Sequence, residues 1–321
     1  MVLLAALSLA LCLSGCAGKQ EAGTEGSSVV VGFSQLGAES SWRIANTESM
    51  EAAAKEAGFA LMMENANQKQ EKQIDAIRSF IAYQVDVIVF SPIVETGWEN
   101  VMTEARQAGI PVILMDRMIE TEDESLYTAY VGADFYAEGR RAGEYLIRKA
   151  DALGAEKLRV AEICGTADST PMRDRQSGFM DVVRGDSRIE VIASVDGDFL
   201  RSKGEECMRD LLAEFGRGGI DVVYSHNDSM TLGVLDVLEK EGIAPAKDIL
   251  LITVDGEKEA VEALKAGKIN CVVQCTPNLG ASVMKLVRDL KAGKEVSKVY
   301  HPDEGAFTDF DDLTDPSVEG F

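Results

Sequence analysis

The sequence predicts an α/β chain of two doubly wound parallel sheets facing each other across a cleft. Three observations carry this. Short apolar runs alternate with amphipathic stretches of about 10–15 residues, the pattern of βαβ units. At least ten such runs occur, too many for one twisted sheet, which seldom exceeds about ten strands. The runs also stop at polar pairs: Ser34-Gln35, Asp116-Arg117, Asn227-Asp228, Asp255-Gly256 and, singly, Gln274, with Arg173 beyond a Gly-containing loop. In open α/β sheets the carboxyl ends of the strands line one crevice, where ligands bind.

Each element has its own signal. Val29–Phe33 reads as the first strand, and Ser40-Ser41 reads as a helix N-cap before a helix from Trp42 to Ala57. Strand Phe59–Met63 precedes a helix over Gln70–Tyr83, whose Ile74, Ile77, Phe80 and Ile81 keep helical spacing. Strand Val87–Phe90 leads to a helix over Trp98–Ala108, and Pro111 opens the strand that ends at Asp116. Tyr127–Val131 leads through Gly132 to a helix reaching Lys149. The pattern restarts with strand Leu158–Ile163, helix Pro171–Arg184, strand Ile189–Val195, helix Ser202–Phe215, strand Val222–Tyr224 and helix Ser229–Glu241. Strand Ile249–Val254, helix Glu257–Ala266, strand Ile269–Gln274 and helix Asn278–Ala292 complete it, before a polar tail holding His301 and the acids Asp311-Asp312, read as solvated.

Composition narrows the function. A net charge of −22 and a pI near 4.5 argue against a nucleic-acid surface, which needs Lys and Arg to displace counterions. They also disfavour polybasic attachment to anionic lipid. Val2–Leu13 is apolar, too short to span a bilayer, and suits a signal-peptide core. It ends in Leu13-Ser14-Gly15-Cys16, which resembles a bacterial lipobox; Cys16 would be lipidated and begin the mature chain. No Lys or Arg precedes the apolar core, a departure from the usual signal. Residues 17–28, rich in Gly, Ser, Thr and Glu, read as a tether.

Of six cysteines, Cys164, Cys207, Cys271 and Cys275 lie in the body, with no zinc-like spacing; at least two are expected to be free and buried. No dinucleotide fingerprint, P-loop, zinc-protease motif or nucleophile elbow occurs. His226, beside Asn227-Asp228, suits a role orienting that loop better than acid/base catalysis. No enzyme activity, catalytic residue, cofactor or metal is expected. Acids, amides and arginines at strand ends instead suit a neutral ligand with many hydroxyls, such as a sugar.

At this point the residues carry a family resemblance. Gly32-Phe33-Ser34-Gln35 and Glu39-Ser40-Ser41-Trp42-Arg43 are followed in order by Asp116-Arg117, Arg173-Asp174-Arg175 before Gly178-Phe179, Asp198-Phe199, Asn227-Asp228, Asp255-Gly256 and Gln274. This series resembles the sugar-binding proteins of ABC importers, of the ribose-binding type (periplasmic binding protein class I), over roughly residues 30–292. Within that family Ser91-Pro92, Thr96-Gly97-Trp98-Glu99, Ser202-Lys203-Gly204 and Tyr224 to Asp228 are most similar to the galactofuranose-binding members. Trp42-Arg43 stands where ribose binders tend to carry paired phenylalanines.

The resemblance implies an extracytoplasmic receptor that captures a galactofuranose-like hexose or a pentose between its lobes. The receptor would deliver it to an ABC permease and its ATPase; the same receptor serving a membrane kinase or chemoreceptor is the alternative. Ligand contact is expected from Ser40, Trp42, Arg43, Asp116, Arg117, Arg173, Phe199, Asn227, Asp255 and Gln274. Trp42 would cover the apolar face of the ring, and Gln274 is divided equally between ligand and hinge. Trp98 is assigned to the core. The expected organisation is a signal over 1–15, a tether over 16–28, an N-terminal lobe over 29–132 plus 275–302, and a C-terminal lobe and tail over 133–274 plus 303–321. Crossovers are expected near Gly132–Asp134, Gln274–Thr276 and Tyr300–Glu304. The protein is expected to be a monomer, lipid-anchored on the outer face of the cytoplasmic membrane or periplasmic, with no nucleic-acid partner. A transcription-repressor core shares this fold but would need a helix-turn-helix and a basic face.

Overall fold

The computed structural model describes residues 29–321; the predicted signal, Cys16 and the tether lie outside them. The first half of the chain runs β1 (Val30–Gln35), α1 (Ser41–Ala57), β2 (Ala60–Asn65), α2 (Gln70–Tyr83), β3 (Val87–Phe90), α3 (Glu99–Gln107), β4 (Val112–Met115) and β5 (Ala129–Val131), with a 3₁₀ turn at Glu124–Leu126. The second half runs α4 (Phe135–Leu153), β6 (Leu158–Cys164), α5 (Thr170–Val183), β7 (Ile189–Asp196), α6 (Arg201–Phe215), β8 (Val222–Ser225), α7 (Asp228–Lys240), β9 (Leu250–Asp255), α8 (Lys258–Lys265) and β10 (Cys271–Gln274). Helix α9 (Gly280–Lys291) then packs on α1, and β11 (Val299–Tyr300) and β12 (Ala306–Thr308) close the chain.

Among the described residues two six-stranded sheets result, in the orders β11-β5-β4-β3-β1-β2 and β12-β10-β9-β8-β6-β7. Setting the last-added strands aside, both orders are the same doubly wound arrangement, with a switch point beside the first strand of each half. All pairs are parallel except β12 on β10. The central strands β3, β4 and β9 are buried along their whole length. That explains their near-continuous apolar sequence, since helices cover both faces of such a sheet. Edge strands β2 and β7 are largely half-buried or exposed and carry more polar residues.

The chain passes between the sheets after β5, after β10 and between β11 and β12. His301, read as part of a tail, ties two of these crossovers: its Nδ1 lies 2.7 Å from the Gly132 carbonyl oxygen. The tail is likewise built in. Asp309 accepts from Lys149 Nζ at 2.6 Å and from Tyr145 at 3.0 Å, and Arg148 lies 4.0 Å over the Phe310 ring. Asp311 and Asp312 are exposed, as expected, but each closes a turn, Asp311 on Thr308 and Asp312 on Thr314. A three-residue strand is too short for periodicity to reveal. Trp98 is buried in the core beside Phe90, as expected, and donates to the Val94 carbonyl at 2.7 Å. Cys164, Cys207, Cys271 and Cys275 are free and buried.

Strand β1 runs two residues beyond the predicted end, because Ser34 and Gln35 still pair with Glu64 and Asn65 of β2. Helices α4 and α5 pack closely because glycines stand at their contact. A Cβ on Gly139 would fall 2.1 Å from the Arg175 carbonyl oxygen, and one on Gly178 would fall 2.1 Å from that of Tyr136. This contact fixes where Arg175 sits. Gly139→Ala is therefore expected to destabilise the protein by about 1–3 kcal/mol, the usual cost of overpacking. Urea titration would show a lower midpoint; an unchanged one would contradict the packing account.

Candidate ligand site between the lobes

Ser40 ends its loop with extended backbone, and its hydroxyl oxygen accepts the Arg43 N–H at 3.2 Å, starting α1. The first turn of the helix thereby carries Trp42 and Arg43 into the cleft. Trp42 is buried and its indole N–H donates to the Cys275 carbonyl at 2.7 Å, so the ring is pinned to a crossover. Arg43 is buried as well. Its Nη2 donates to Asp116 Oδ2 at 2.6 Å and its Nε to Glu39 Oε1 at 3.1 Å. Burial alone would lower its pKa, but the two carboxylates outweigh burial and raise it. Asp116 thus pairs with Arg43 and not with its sequence neighbour Arg117.

Asp116 stands at the end of β4 with φ of 63°, an uncommon conformation for a residue with a side chain and one that concentrates at functional sites. Its backbone is held by Val131 and by the Tyr130 hydroxyl, which donates to the Asp116 carbonyl at 2.7 Å. The Ser91 hydroxyl also bonds Oδ2, at 3.1 Å, so Oδ1 is the oxygen left toward the cleft. Arg117 donates from Nη1 to the Ile93 carbonyl at 3.0 Å. Burial and the neighbouring Arg43 charge push its pKa down to about 10.

The other lobe supplies Phe199, Arg175, Asn227 and Asp255. Phe199, with φ of 62°, lies 5.3 Å from the Arg117 guanidinium, an aromatic–cation contact between the lobes. Asn227 caps α7: its Oδ1 accepts the Met230 N–H at 2.9 Å and its Nδ2 donates to the Phe199 carbonyl at 3.2 Å. Much of its amide is therefore spent on positioning. Arg175 donates to Glu138 at 2.7 Å and to the His226 carbonyl at 2.6 Å, and approaches Asp255 at 3.7 Å. Burial raises the Asp255 pKa well above the carboxylate range, with Arg175 opposing and Asp228 adding to the rise.

These groups line a small cavity of about 30 Å³ between the lobes, large enough to hold water. Eight of the ten predicted contacts line it: Ser40, Trp42, Arg43, Asp116, Arg117, Phe199, Asn227 and Asp255. Two lining side chains keep a buried atom with no hydrogen-bond partner, Arg117 Nε and Glu39 Oε2. One is a donor and the other an acceptor, and unsatisfied buried groups are costly.

Two predicted contacts fall elsewhere. Arg173 is half-exposed and pairs with Glu95 of the other lobe and with Asp174 at 2.8 Å. It closes the mouth of the cleft, where Glu95 N–H also donates to the Asp168 carbonyl at 3.1 Å and Met118 N–H to the Thr170 hydroxyl at 3.1 Å. In a helix starting at Thr170, Arg173 and Arg175 point to different faces; the buried Phe179, four residues after Arg175, marks the inward one. Gln274 lies at the hinge, exchanging bonds with Gly305 N–H at 3.1 Å and with the Gly305 carbonyl at 2.8 Å. It borders a separate groove with Thr276 and Asp303. Glu39, Phe135, Pro171, Arg175 and Cys275 line the cavity without having been predicted. Glu39 had one signal, its four-residue spacing from Arg43. His226 is buried with Nε2 3.0 Å from Glu162 Oε1, and its carbonyl holds Arg175, in keeping with a supporting role.

Residues 31–295 match the family described as periplasmic binding protein domain. The chain is 39% identical to the galactofuranose-binding protein of Escherichia coli over 82% of each chain. It superposes on a Mycobacterium smegmatis protein solved in complex with β-D-fucofuranose, with a TM-score of 0.85 and 42% identity, covering 88% of this chain and 91% of that one. It also superposes on the periplasmic binding protein of the arabinose ABC transporter from Shewanella, bound to α- and β-L-arabinofuranose. There the TM-score is 0.83 and the identity 38%, covering 87% and 91% of the two chains.

The turn that presents Asp255 is held from below by Asp228, which accepts from Gly256 N–H at 2.7 Å, Glu257 N–H at 2.6 Å and the Thr253 hydroxyl at 2.7 Å. Burial and the nearby Glu257 push the Asp228 pKa up to about 8, against about 3.9 unfolded. Between those values the folded chain keeps a proton that the unfolded chain has released, so Asp228 lowers stability as pH rises from about 4 to 8. Asp228→Asn is expected to flatten that part of the stability–pH curve, measured as urea midpoints across the window. An unchanged slope would contradict the assignment.

Proposed function

The chain belongs to the periplasmic binding protein family, and from that premise we propose that it is an extracytoplasmic receptor that captures one monosaccharide, in furanose form, between its lobes. It would then present the closed, loaded form to an ABC permease for import. The observation that carries this is the pair of unsatisfied buried atoms on side chains that line the cleft, Arg117 Nε and Glu39 Oε2. A sugar hydroxyl both donates and accepts, so a ring bearing several can satisfy the two together while Asp116 Oδ1 and Asp255 take further protons. Most charges around the cavity have an opposite neighbour, Arg43 with Asp116 and Arg175 with Glu138, while Arg117 has only the Ile93 carbonyl. The paired charges suit a neutral ligand, and Arg117 is the donor left for it. Trp42 and Phe199 offer rigid apolar surface for the C–H face of the ring. The furanose form is inferred from the three relatives, one named for galactofuranose and two solved with furanoses.

Closure follows from contacts made only when the lobes meet, such as the Arg173–Glu95 pair and Arg117 over Phe199. Attachment to the membrane through a lipid on Cys16, a monomeric state and a purely non-enzymatic role complete the reading. The lobes correspond to 29–132 plus 275–302 and 133–274 plus 303–321.

The reading is tested by a thermal-shift screen of methyl furanosides and pyranosides of galactose, fucose and arabinose, which do not interconvert. A true ligand at 100 times its dissociation constant adds about 2.7 kcal/mol of stability. Response to a furanoside is the expected result, and no response to any sugar would refute the function. Asp116→Asn should weaken binding by about 1.5–3 kcal/mol, the worth of a charged hydrogen bond, read by calorimetry. Glu95→Gln or Arg173→Ala should weaken it by only about 0.2–1 kcal/mol, seen as faster dissociation that wild type approaches at high salt. Equal losses at the two places would contradict the division between pocket and latch.

A further inference from the structure

Among the described residues, two clusters combine a buried thiol with carboxylate. In the first, Glu162, Cys164 and His226 are closed on themselves: Glu162 bonds His226 through Oε1 at 3.0 Å, and through Oε2 takes Gln176 at 2.9 Å and Ser194 at 2.6 Å. The second is Glu138, Cys275 and Glu304, whose carboxylate oxygens and Sγ lie within 4.8 Å of one another. Its residues come from the three crossovers, at the start of α4, just after β10, and between β11 and β12. Glu138 is fully buried; Oε2 takes Arg175, and Oε1 has no hydrogen-bond partner. Glu304 is half-buried and accepts the Thr276 N–H at 2.7 Å, which holds its carboxylate in place.

Negative charge is under-compensated here. Three acids, Glu138, Glu304 and the nearby Asp255, face two arginines, Arg175 in contact and Arg141 at longer range. Glu138 Oε1, whose neighbouring donor is the Cys275 thiol, thus stands with that thiol and a second carboxylate as a set of atoms able to ligate a cation.

We propose that Glu138, Cys275 and Glu304 bind a divalent ion of the zinc class at the hinge. One thiolate and two carboxylates suit zinc, with water completing the usual four ligands, whereas magnesium and calcium take oxygen donors alone. On binding, the Cys275 Sγ–H bond breaks, the proton leaves to solvent and sulfur's electron pair goes to the metal; any proton on Glu304 leaves likewise. Arg175 on the far oxygen of Glu138 and the Thr276 N–H on Glu304 are the outer partners that such carboxylate ligands need. The ion would enter along the groove that Gln274, Thr276 and Asp303 share with Glu304.

The test uses the full, sugar-free chain carrying Cys12→Ser and Cys16→Ser, so that no thiol outside the described residues competes. Zn²⁺ is titrated calorimetrically, and Co²⁺ is followed by its thiolate-to-cobalt charge-transfer absorption. One equivalent should bind, more tightly as pH rises, with the charge-transfer band present. Cys275→Ser should abolish the band. Glu304→Gln, at a half-exposed position that tolerates change, should weaken Zn²⁺ binding roughly tenfold or more. Absence of binding, a band surviving in Cys275→Ser, or affinity unchanged in Glu304→Gln would each overturn the proposal.

Discussion

Arg43 must stay charged at a buried position, and the organisation of the cleft follows from that requirement. A buried guanidinium is tolerated only with carboxylates in bonding range, and here they are Glu39, one turn earlier, and Asp116, at the end of β4. The pair joins the start of α1 to the far side of the switch point. It thereby fixes the strained Asp116 turn, and the turn sets where Arg117 points. Arg117 then reaches across to Phe199, so a constraint inside one lobe determines a contact with the other.

The second lobe answers with the same device. Arg175 is held by Glu138 and by the His226 carbonyl, and α5 can place it there because Gly139 and Gly178 let α4 and α5 approach closely. Both arginines thus act as pre-set walls of the cavity. Among the side chains that line the cavity, what remains unsatisfied is small and specific: a donor on Arg117 and an acceptor on Glu39. A cleft so arranged discriminates by where hydroxyls point.

Much of this was legible in the sequence. Strand β3 and helix α2 end where apolar runs and helical spacing say they should, because buried parallel strands and amphipathic helices are dictated by burial alone. Asp116, Asn227 and Asp255 could be placed in the cleft because strand ends in such sheets face one crevice. What periodicity could not settle was which of two arginines on one turn faces inward: Arg173 turns to the mouth and Arg175 to the cavity. Gln274 ends a strand like the others, but its strand leads into the hinge, so its amide serves Gly305 instead. The short strands β11 and β12 carry no pattern long enough to read, although the crossovers they frame were expected. Arg43 with Asp116, separated by 73 positions, is a pairing that only the fold brings about.

The central claim is that the unsatisfied atoms of the cleft are waiting for sugar hydroxyls. A crystal structure of the protein with a bound furanoside tests it most directly. The account predicts ligand oxygens at hydrogen-bond distance, about 2.7–3.2 Å, from both Arg117 Nε and Glu39 Oε2, with Trp42 against the ring face. A complex in which the sugar lies in the cleft while neither atom touches it would contradict the account.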